Sequence, residues 1–285
     1  MRVSDHDKAL VAFNIILLVF MLFMTILFWT TSLDLTVSRY FQNAEGLWIG
    51  PDIPYLAFYY FPMNAILFAL PLMIAFPLFL LSFSTRPYFD RIRHYRRHSL
   101  LLVVSTALGA GFFNSVVLKA LFARPRPMAY FNGDGIYYRP FEIAFSHWGL
   151  LDASFPSGHA SVAFASVGFF FAFRHAPGFW RKTAKWGLGM TLPVVAGSSM
   201  MVSRVSYGEH YVSDTLWAGA FTYAFVLAMY QLLKIPEHDA IIAASRPADQ
   251  VPATWRDVGI IAASILVPIL FAGYLILRFN GLTSI

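Results

Sequence analysis

The 285-residue sequence contains no cysteine, and charged residues make up only 13% of it. Without cysteine there is no disulfide framework, no thiolate metal site and no cysteine nucleophile. The scarcity of charge, together with 58% hydrophobic residues, is not the composition of a soluble domain. We therefore expect an integral membrane protein whose chemistry, if it is an enzyme, depends on other side chains.

Seven apolar stretches contain no Asp, Glu, Lys or Arg, and each approaches the roughly 20 residues that a helix needs to cross a bilayer. They lie at about 9–31, 60–83, 100–118, 157–173, 186–202, 215–233 and 258–277. The pattern predicts an all-α, polytopic transmembrane helix bundle that forms a single integral-membrane domain over 1–285. Its core covers about 9–233, and a cytoplasmic linker at about 234–257 precedes the extra, seventh span.

The basic residues orient these spans. With a cytoplasmic N-terminus, the inner segments hold two Lys or Arg in 1–8, five in 84–99, four in 174–185 and three in 234–257, 14 of the 21 in all. Positive residues collect on the cytoplasmic side of membrane proteins. Topology therefore accounts for the net charge of +6 without nucleic acid as a partner. We expect a multi-pass protein of the cell (inner or plasma) membrane.

Three polar segments interrupt the apolar pattern, and all three fall on the outer side of this topology. The first reads Lys-x6-Arg-Pro from Lys119 to Pro127, the second Pro-Ser-Gly-His at 156–159, and the third Ser-Arg-x5-His-x3-Asp from Ser203 to Asp214. Phosphoryl transfer needs fixed charges around three equatorial oxygens and a positioned nucleophile. Together the segments supply these groups, so we expect a phosphoryl-transfer site that needs no metal or cofactor.

The cations and one helix start would form the phosphate cage. Arg126 and Arg204 can each bind phosphate oxygens through two N–H groups, and Lys119 adds a point charge. Pro156 suits the first turn of a helix, so the backbone N–H groups of residues 157–159 would be free to face the same anion.

Two histidines would carry the chemistry. His210 and Asp214 stand four residues apart, so on a helix the carboxylate could accept from the imidazole and orient it for attack on phosphorus. His159 would then protonate the leaving alkoxide and later activate water. Ser203 could donate to phosphate or merely close the short loop, and Arg124 is read as a bystander or as a second cation behind the site.

The acidic residues of the outer segments match no metal-ligand spacing, and we interpret them as solvated loop charges. They are Asp134, Glu142, Asp152 and Glu209.

The three segments resemble the signature motifs of the type 2 phosphatidic acid phosphatase, or lipid phosphate phosphatase, superfamily, which also includes vanadium haloperoxidases. The resemblance covers about 96 residues from Lys119 to Asp214, and implies a six-helix core and independence from magnesium. It implies that His210 is the nucleophile, that His159 is the acid and base, and that Asp214 orients His210. The resemblance also implies that phosphate is contacted by Lys119, Arg126, Ser157, Gly158 and Arg204. The seventh span and the outer stretch 128–153 depart from the family pattern.

We therefore expect a membrane lipid phosphate phosphatase that hydrolyses a phosphomonoester or diphosphate at the outer interface through a phosphohistidine. For a bacterial host the candidate lipids are undecaprenyl diphosphate, phosphatidylglycerol phosphate, phosphatidic acid and lipid A phosphates; the spacing around Lys119 loosely resembles the lipid A phosphatase branch. Two alternatives stay open. They are a lipid phosphotransferase that uses the same phosphohistidine, and a non-catalytic lipid-phosphate binding or transport protein. A vanadium haloperoxidase would use the same cage for vanadate, but a multispan membrane chain argues against it.

Overall fold

The computed structural model describes residues 5–149, 152–175 and 179–244. Within these ranges the chain is built from helices, with no strand and one isolated bridge between Gln42 and Trp48. The predicted all-α bundle is confirmed.

The α-helices are numbered in chain order. They are α1 Asp5–Thr30, α2 Leu33–Tyr40, α3 Pro54–Tyr60, α4 Pro62–Leu81, α5 Asp90–His94, α6 Arg96–Val104, α7 Lys119–Phe122, α8 Pro127–Phe131, α9 Gly158–Ala165, α10 Gly168–Ala172, α11 Phe179–Trp186, α12 Leu192–Ser206, α13 Val212–Leu232 and α14 Ile235–Ala244. Wider, π-helical turns join α6 to α7 over Ser105–Leu118 and α11 to α12 over Gly187–Thr191. Short 3-10 turns lie at Gly50–Asp52, Pro87–Phe89 and Phe145–His147.

Several of these helices join into spans. In the described ranges, five helical segments are long and apolar enough to cross a membrane: Lys8–Thr30, Pro54–Leu81, Arg96–Phe131, Lys182–Ser206 and Val212–Leu232. A shorter apolar stretch, Gly158–Ala172, lies where the fourth span is predicted. The chain is thus a multi-pass membrane protein. The predicted seventh span at about 258–277 lies outside the described residues.

The first helix faces lipid. Ile15, Ile16 and Val19 of α1 are 57%, 66% and 60% exposed, whereas Met21 and Phe28 are buried against the bundle. Each Å² of apolar surface left in water costs about 25 cal/mol. The acyl chains of a bilayer remove this cost, so α1 has the surface of a membrane span and not of a soluble helix.

The centre of the bundle is α9, which packs against α12, α13 and the π-helical stretch before α7. Small residues allow the close approach: Ala160 and Ala163 are fully buried, and a Cβ at Gly197 or Gly219 would lie 2.4 Å or 3.1 Å from the ring of Phe164. Small side chains at helix contacts are typical of membrane bundles. At one end of this core, the starts of α9 and α13 and the end of α12 bring the polar segments together.

Candidate active site

Backbone hydrogen bonds join the three polar segments. The N–H of Ser154, just before the second segment, donates to the carbonyl of Arg124 in the first (2.7 Å). The N–H of Ser157 in the second donates to the carbonyl of Asp214 in the third (3.1 Å). Because these bonds connect main chain to main chain, the meeting point does not depend on the rotamer of a long side chain.

His210 is buried at this point, just before α13. Its Nδ1 lies 2.7 Å from the carbonyl oxygen of Ser154 and 3.8 Å from a carboxylate oxygen of Asp214. Since a carbonyl can only accept, Nδ1 carries the proton and Nε2 keeps its lone pair. The hydrogen bond that we expected from the ring to Asp214 is made to Ser154 instead. Burial, then the charges of Lys119 and Arg126, lower the pKa of His210 well below its ordinary value.

Asp214 is fully buried and held by two donors. One carboxylate oxygen lies 2.5 Å from the Arg124 guanidinium, and the other accepts from the Tyr211 N–H at 2.7 Å. Arg124 in turn lies 2.9 Å from the carboxylate of Asp34, a fully buried residue of α2. The structure therefore places Arg124 behind the site, between two carboxylates.

Each nitrogen of the Arg124 guanidinium already has a partner within the protein. Its Nε donates to the carbonyl of Tyr138 at 2.7 Å, and the other two nitrogens donate to Ser213, Asp214 and Asp34. The ring of Tyr211 stacks 4.1 Å from the guanidinium carbon. Arg124 thus joins α2, the first segment and the start of α13. Asp34 could not be predicted as part of the site, because it lies outside the three polar segments and no motif surrounds it.

Arg126 and Arg204 also pair with carboxylates of the site. Arg126 pairs with Asp152 (2.5 Å) and with Glu209 (3.3 Å). Arg204 pairs with the other oxygen of Glu209 (2.9 Å) and donates to the carbonyl of Tyr60 (2.5 Å). The Nε of each arginine is buried without a hydrogen-bond partner in the described chain. A buried donor without a partner is costly, so both groups are suited to an incoming anion.

Lys119 and the start of α9 complete the cationic side. Lys119 is 8% exposed, and its ammonium interacts electrostatically with Arg126 and Asp214. Ser157 is the N-cap of α9, and its backbone N–H already donates to the carbonyl of Asp214. The expected donor set at 157–159 therefore reduces to the N–H groups of Gly158 and His159, and Pro156 precedes the cap instead of starting the helix.

The two candidate histidines share one site. His159 is the second residue of α9 and interacts electrostatically with His210, Arg204 and Lys119. Gly158 allows this arrangement, because a Cβ there would lie 2.6 Å from the hydroxyl of Ser115 in the neighbouring π-helical stretch. The site thus holds a neutral, buried imidazole from the third segment, a second imidazole from the second segment, and three cations from the first and third segments.

Comparison with known proteins identifies the family. The model of the PAP2 superfamily matches residues 99–235, which contain all three polar segments. Residues 99–235 are thus a PAP2 superfamily region. The chain is also similar to the lipid A 4'-phosphatase of Francisella tularensis subsp. novicida (strain U112), with 29% identity over 207 residues that cover 71% of this chain and 86% of the relative. No solved structure matches.

Family, relative and apolar helices together identify a membrane lipid phosphatase, a hydrolase of phosphoric monoesters. The predicted family and enzyme class are confirmed. Within the part of the chain that the structure describes, no three His, Asp or Glu residues form a group that could hold a metal ion.

Ser203 of this PAP2 site points away from the cage. Its hydroxyl donates to the carbonyl of Leu56 at 2.7 Å, and the residue is fully buried. Of the two roles that the sequence left open for Ser203, the structure therefore shows neither: the hydroxyl ties α12 to α3.

Glu209 lies inside the PAP2 site and is not a solvated loop charge. Burial alone would raise the pKa of its carboxyl, but the hydrogen bond from Tyr60 (2.5 Å) and the charges of Arg204 and Arg126 outweigh burial and lower the pKa to about 2. The ring of Tyr60 also lies 4.0 Å from the guanidinium carbon of Arg204. Tyr60 belongs to α3, so only its position in the fold reveals its part in the site.

Gly208 makes the turn that presents Glu209 and His210. Its φ is +71°, a backbone conformation that side chains disfavour, and a Cβ would lie 2.2 Å from the ring of Trp48. Its carbonyl accepts from the N–H of Met128 (2.9 Å), which attaches the third segment to α8.

Proposed function

We propose that this phosphatase removes phosphate from a membrane lipid by in-line attack of His210 Nε2 on phosphorus. The observation that supports this step most is the state of the imidazole, which is buried and neutral and donates its Nδ1 proton to Ser154. That bond holds the tautomer with a free lone pair on Nε2. As the P–N bond forms, the bond from phosphorus to the lipid oxygen breaks.

His159 serves as the acid and then as the base. In the first step His159 is the imidazolium, which the negative charge of the bound phosphate favours, and it gives its proton to the departing lipid alkoxide and becomes neutral. In the second it takes a proton from water while the water oxygen attacks phosphorus. The P–N bond breaks with its electron pair returning to His210, and inorganic phosphate leaves.

The cations of the site stabilise the charge on the transferred group. Lys119 and Arg126 from the first segment and Arg204 from the third all act on His210, and the N–H groups of Gly158 and His159 add donors at a helix start. These groups supply the electrostatic stabilisation that phosphoryl transfer requires, so the mechanism needs no metal ion.

A site between membrane helices is accessible to a lipid whose acyl chains stay in the bilayer. Similarity to a lipid A 4'-phosphatase makes a phosphate of lipid A our first candidate substrate. The distribution of Lys and Arg favours a site on the outer side of the cell membrane, with the N-terminus inside.

The main test is phosphate release from lipid A, phosphatidic acid, phosphatidylglycerol phosphate and undecaprenyl diphosphate, with and without a metal chelator. His210→Ala should abolish release from the preferred lipid. His147→Ala is the matched control, because this histidine bonds its neighbour Ser146 (2.9 Å) and should be dispensable. Robust turnover by His210→Ala, or loss of wild-type activity in chelator, would overturn the mechanism. Phosphate recovered in an organic acceptor would show phosphotransfer instead.

The absence of cysteine allows a direct topology test. A single cysteine at Ile136, which is 70% exposed, should react with an impermeant thiol reagent added outside the cell. A cysteine at Lys182 in α11 should react only after the cells are opened. The reverse pattern would place the site in the cytoplasm.

A further inference from the structure

The carboxylate of Glu209 binds the same two guanidinium groups that the phosphate needs. One oxygen lies 2.9 Å from Arg204, and the other lies 3.3 Å from Arg126 and 2.5 Å from the hydroxyl of Tyr60. The carboxylate thus bridges cations from two segments while a residue of α3 holds it. No part of the proposed chemistry uses a negative charge at this place.

We propose that Glu209 is an internal anion of the phosphate site, which competes with phosphate for Arg126 and Arg204 and so limits how tightly inorganic phosphate is retained. The inference rests on the proposed function. In addition to the roles proposed above, Glu209 would then speed the release of inorganic phosphate and favour binding of phosphate that is attached to a lipid.

Carboxylates and phosphates bind the same edge of a guanidinium group. With Glu209 in place, Arg204 retains its buried Nε without a partner, and so does Arg126. An incoming phosphate must either use the remaining donors beside a fixed negative charge or displace the carboxylate. Both routes weaken binding of the ground state.

Free and lipid-bound phosphate differ in what can offset this repulsion. A lipid ester has a headgroup and acyl chains that contact the protein and the bilayer, whereas inorganic phosphate has only its oxygens. The penalty from Glu209 therefore falls most heavily on the product. Fast departure of phosphate keeps His210 available for the next substrate.

Asp152 offers an internal comparison. It also pairs with Arg126 (2.5 Å), but its side chain is 84% exposed, whereas that of Glu209 is 13% exposed. Solvent and salt screen an exposed charge far more than a buried one. Removing the charge of Asp152 should therefore change phosphate affinity much less.

The test measures binding of inorganic phosphate and of orthovanadate to the purified, full-length protein by calorimetry in detergent. Glu209→Gln should bind both anions at least about tenfold more tightly than wild type, because one partly buried negative charge near the anion is removed. Asp152→Asn should change affinity by less than about threefold. Glu142→Gln, at a residue that accepts from the backbone N–H of Arg139, should change nothing.

A gain of affinity separates this role from a structural one, since damage to the site would only weaken binding. Glu209→Asp keeps the charge and should stay near wild type. Glu209→Ala removes the same charge and replaces the Gln variant if that variant does not fold. Wild-type affinity in either folded neutral variant would overturn the inference while lipid turnover by wild type stands. Absence of both phosphate binding and turnover in wild type would overturn the proposed function and this inference together.

Discussion

Asp34 is the residue whose replacement tests the buried side of the site most directly. Its carboxylate accepts from the Arg124 guanidinium (2.9 Å) and from both the N–H (3.0 Å) and the hydroxyl of Ser213. In Asp34→Asn one acceptor becomes a donor that faces other donors, and the buried Arg124 loses half of its counter-charge. Breaking a buried ion pair costs about 3–5 kcal/mol. Because Arg124 keeps Asp214, we expect about 3 kcal/mol.

Thermal unfolding in detergent, followed by tryptophan fluorescence, measures this loss. About 3 kcal/mol corresponds to a decrease in Tm of roughly 6–12 °C for a chain of this size. We also expect kcat to fall while KM changes little, since Arg124 holds both Asp214 and the backbone of Ser154 beside His210. Asp52→Asn, the same change at an exposed residue, should leave both quantities unchanged.

A variant Asp34→Asn that melts within about 1 °C of wild type would show that the Asp34–Arg124 pair does not stabilise the fold. Strict additivity between Asp34→Asn and Arg124→Met would also refute the reasoning. Residues that share one buried network should couple by about 0.5–3 kcal/mol.

Three further outcomes follow from the same geometry. Because the pKa of His210 is lowered, its imidazole stays neutral as the pH falls. The acid limb of the pH profile of kcat/KM should therefore have its midpoint below about pH 6.5, the ordinary value for histidine. A midpoint at or above about 6.5 that disappears in a His210 variant would contradict this expectation. Tyr60→Phe removes the hydroxyl on Glu209 but keeps the ring, and loss of one hydrogen bond to a charged group, worth about 1.5–3 kcal/mol, should lower Tm. We expect kcat/KM to fall as well, because the arginines alone then hold Glu209 and it competes more strongly with phosphate. Equal Tm and kcat/KM in both proteins would argue against a role for that hydroxyl. Gly208→Ala should lower Tm and abolish activity, because the Cβ of the alanine would collide with Trp48 and the turn before His210 would change. Full activity in this variant would show that the turn can adopt another conformation.

Much of the fold was open to prediction because bilayers impose a simple rule. A span must be about 20 apolar residues long, and such stretches can be counted without any knowledge of contacts. The same holds for the motifs, since the spacing of Lys119, Arg126, His159, Arg204 and His210 is a property of the chain alone. Their arrangement around one point follows once the helices that carry them pack together.

Other features of the site depend on partners that are distant in sequence. Glu209 resembles any loop carboxylate until Tyr60, 149 residues away, donates to it. Asp34 lies 179 residues from Ser213, and its carboxylate accepts hydrogen bonds from the N–H and the hydroxyl of that serine. The i to i+4 spacing of His210 and Asp214 predicted a hydrogen bond between the two side chains. In the structure the imidazole of His210 donates to the carbonyl of Ser154 instead.

Hydropathy and motif spacing are local properties, so the membrane character, the helical class and the residue types that can move a phosphoryl group could be predicted from the order of residues. Packing was needed to show which acceptor holds the His210 proton, which carboxylates face the arginines and which arginine keeps donors for substrate. Whether a charge is solvated, paired or left open depends on side chains that come into contact only when the helices pack.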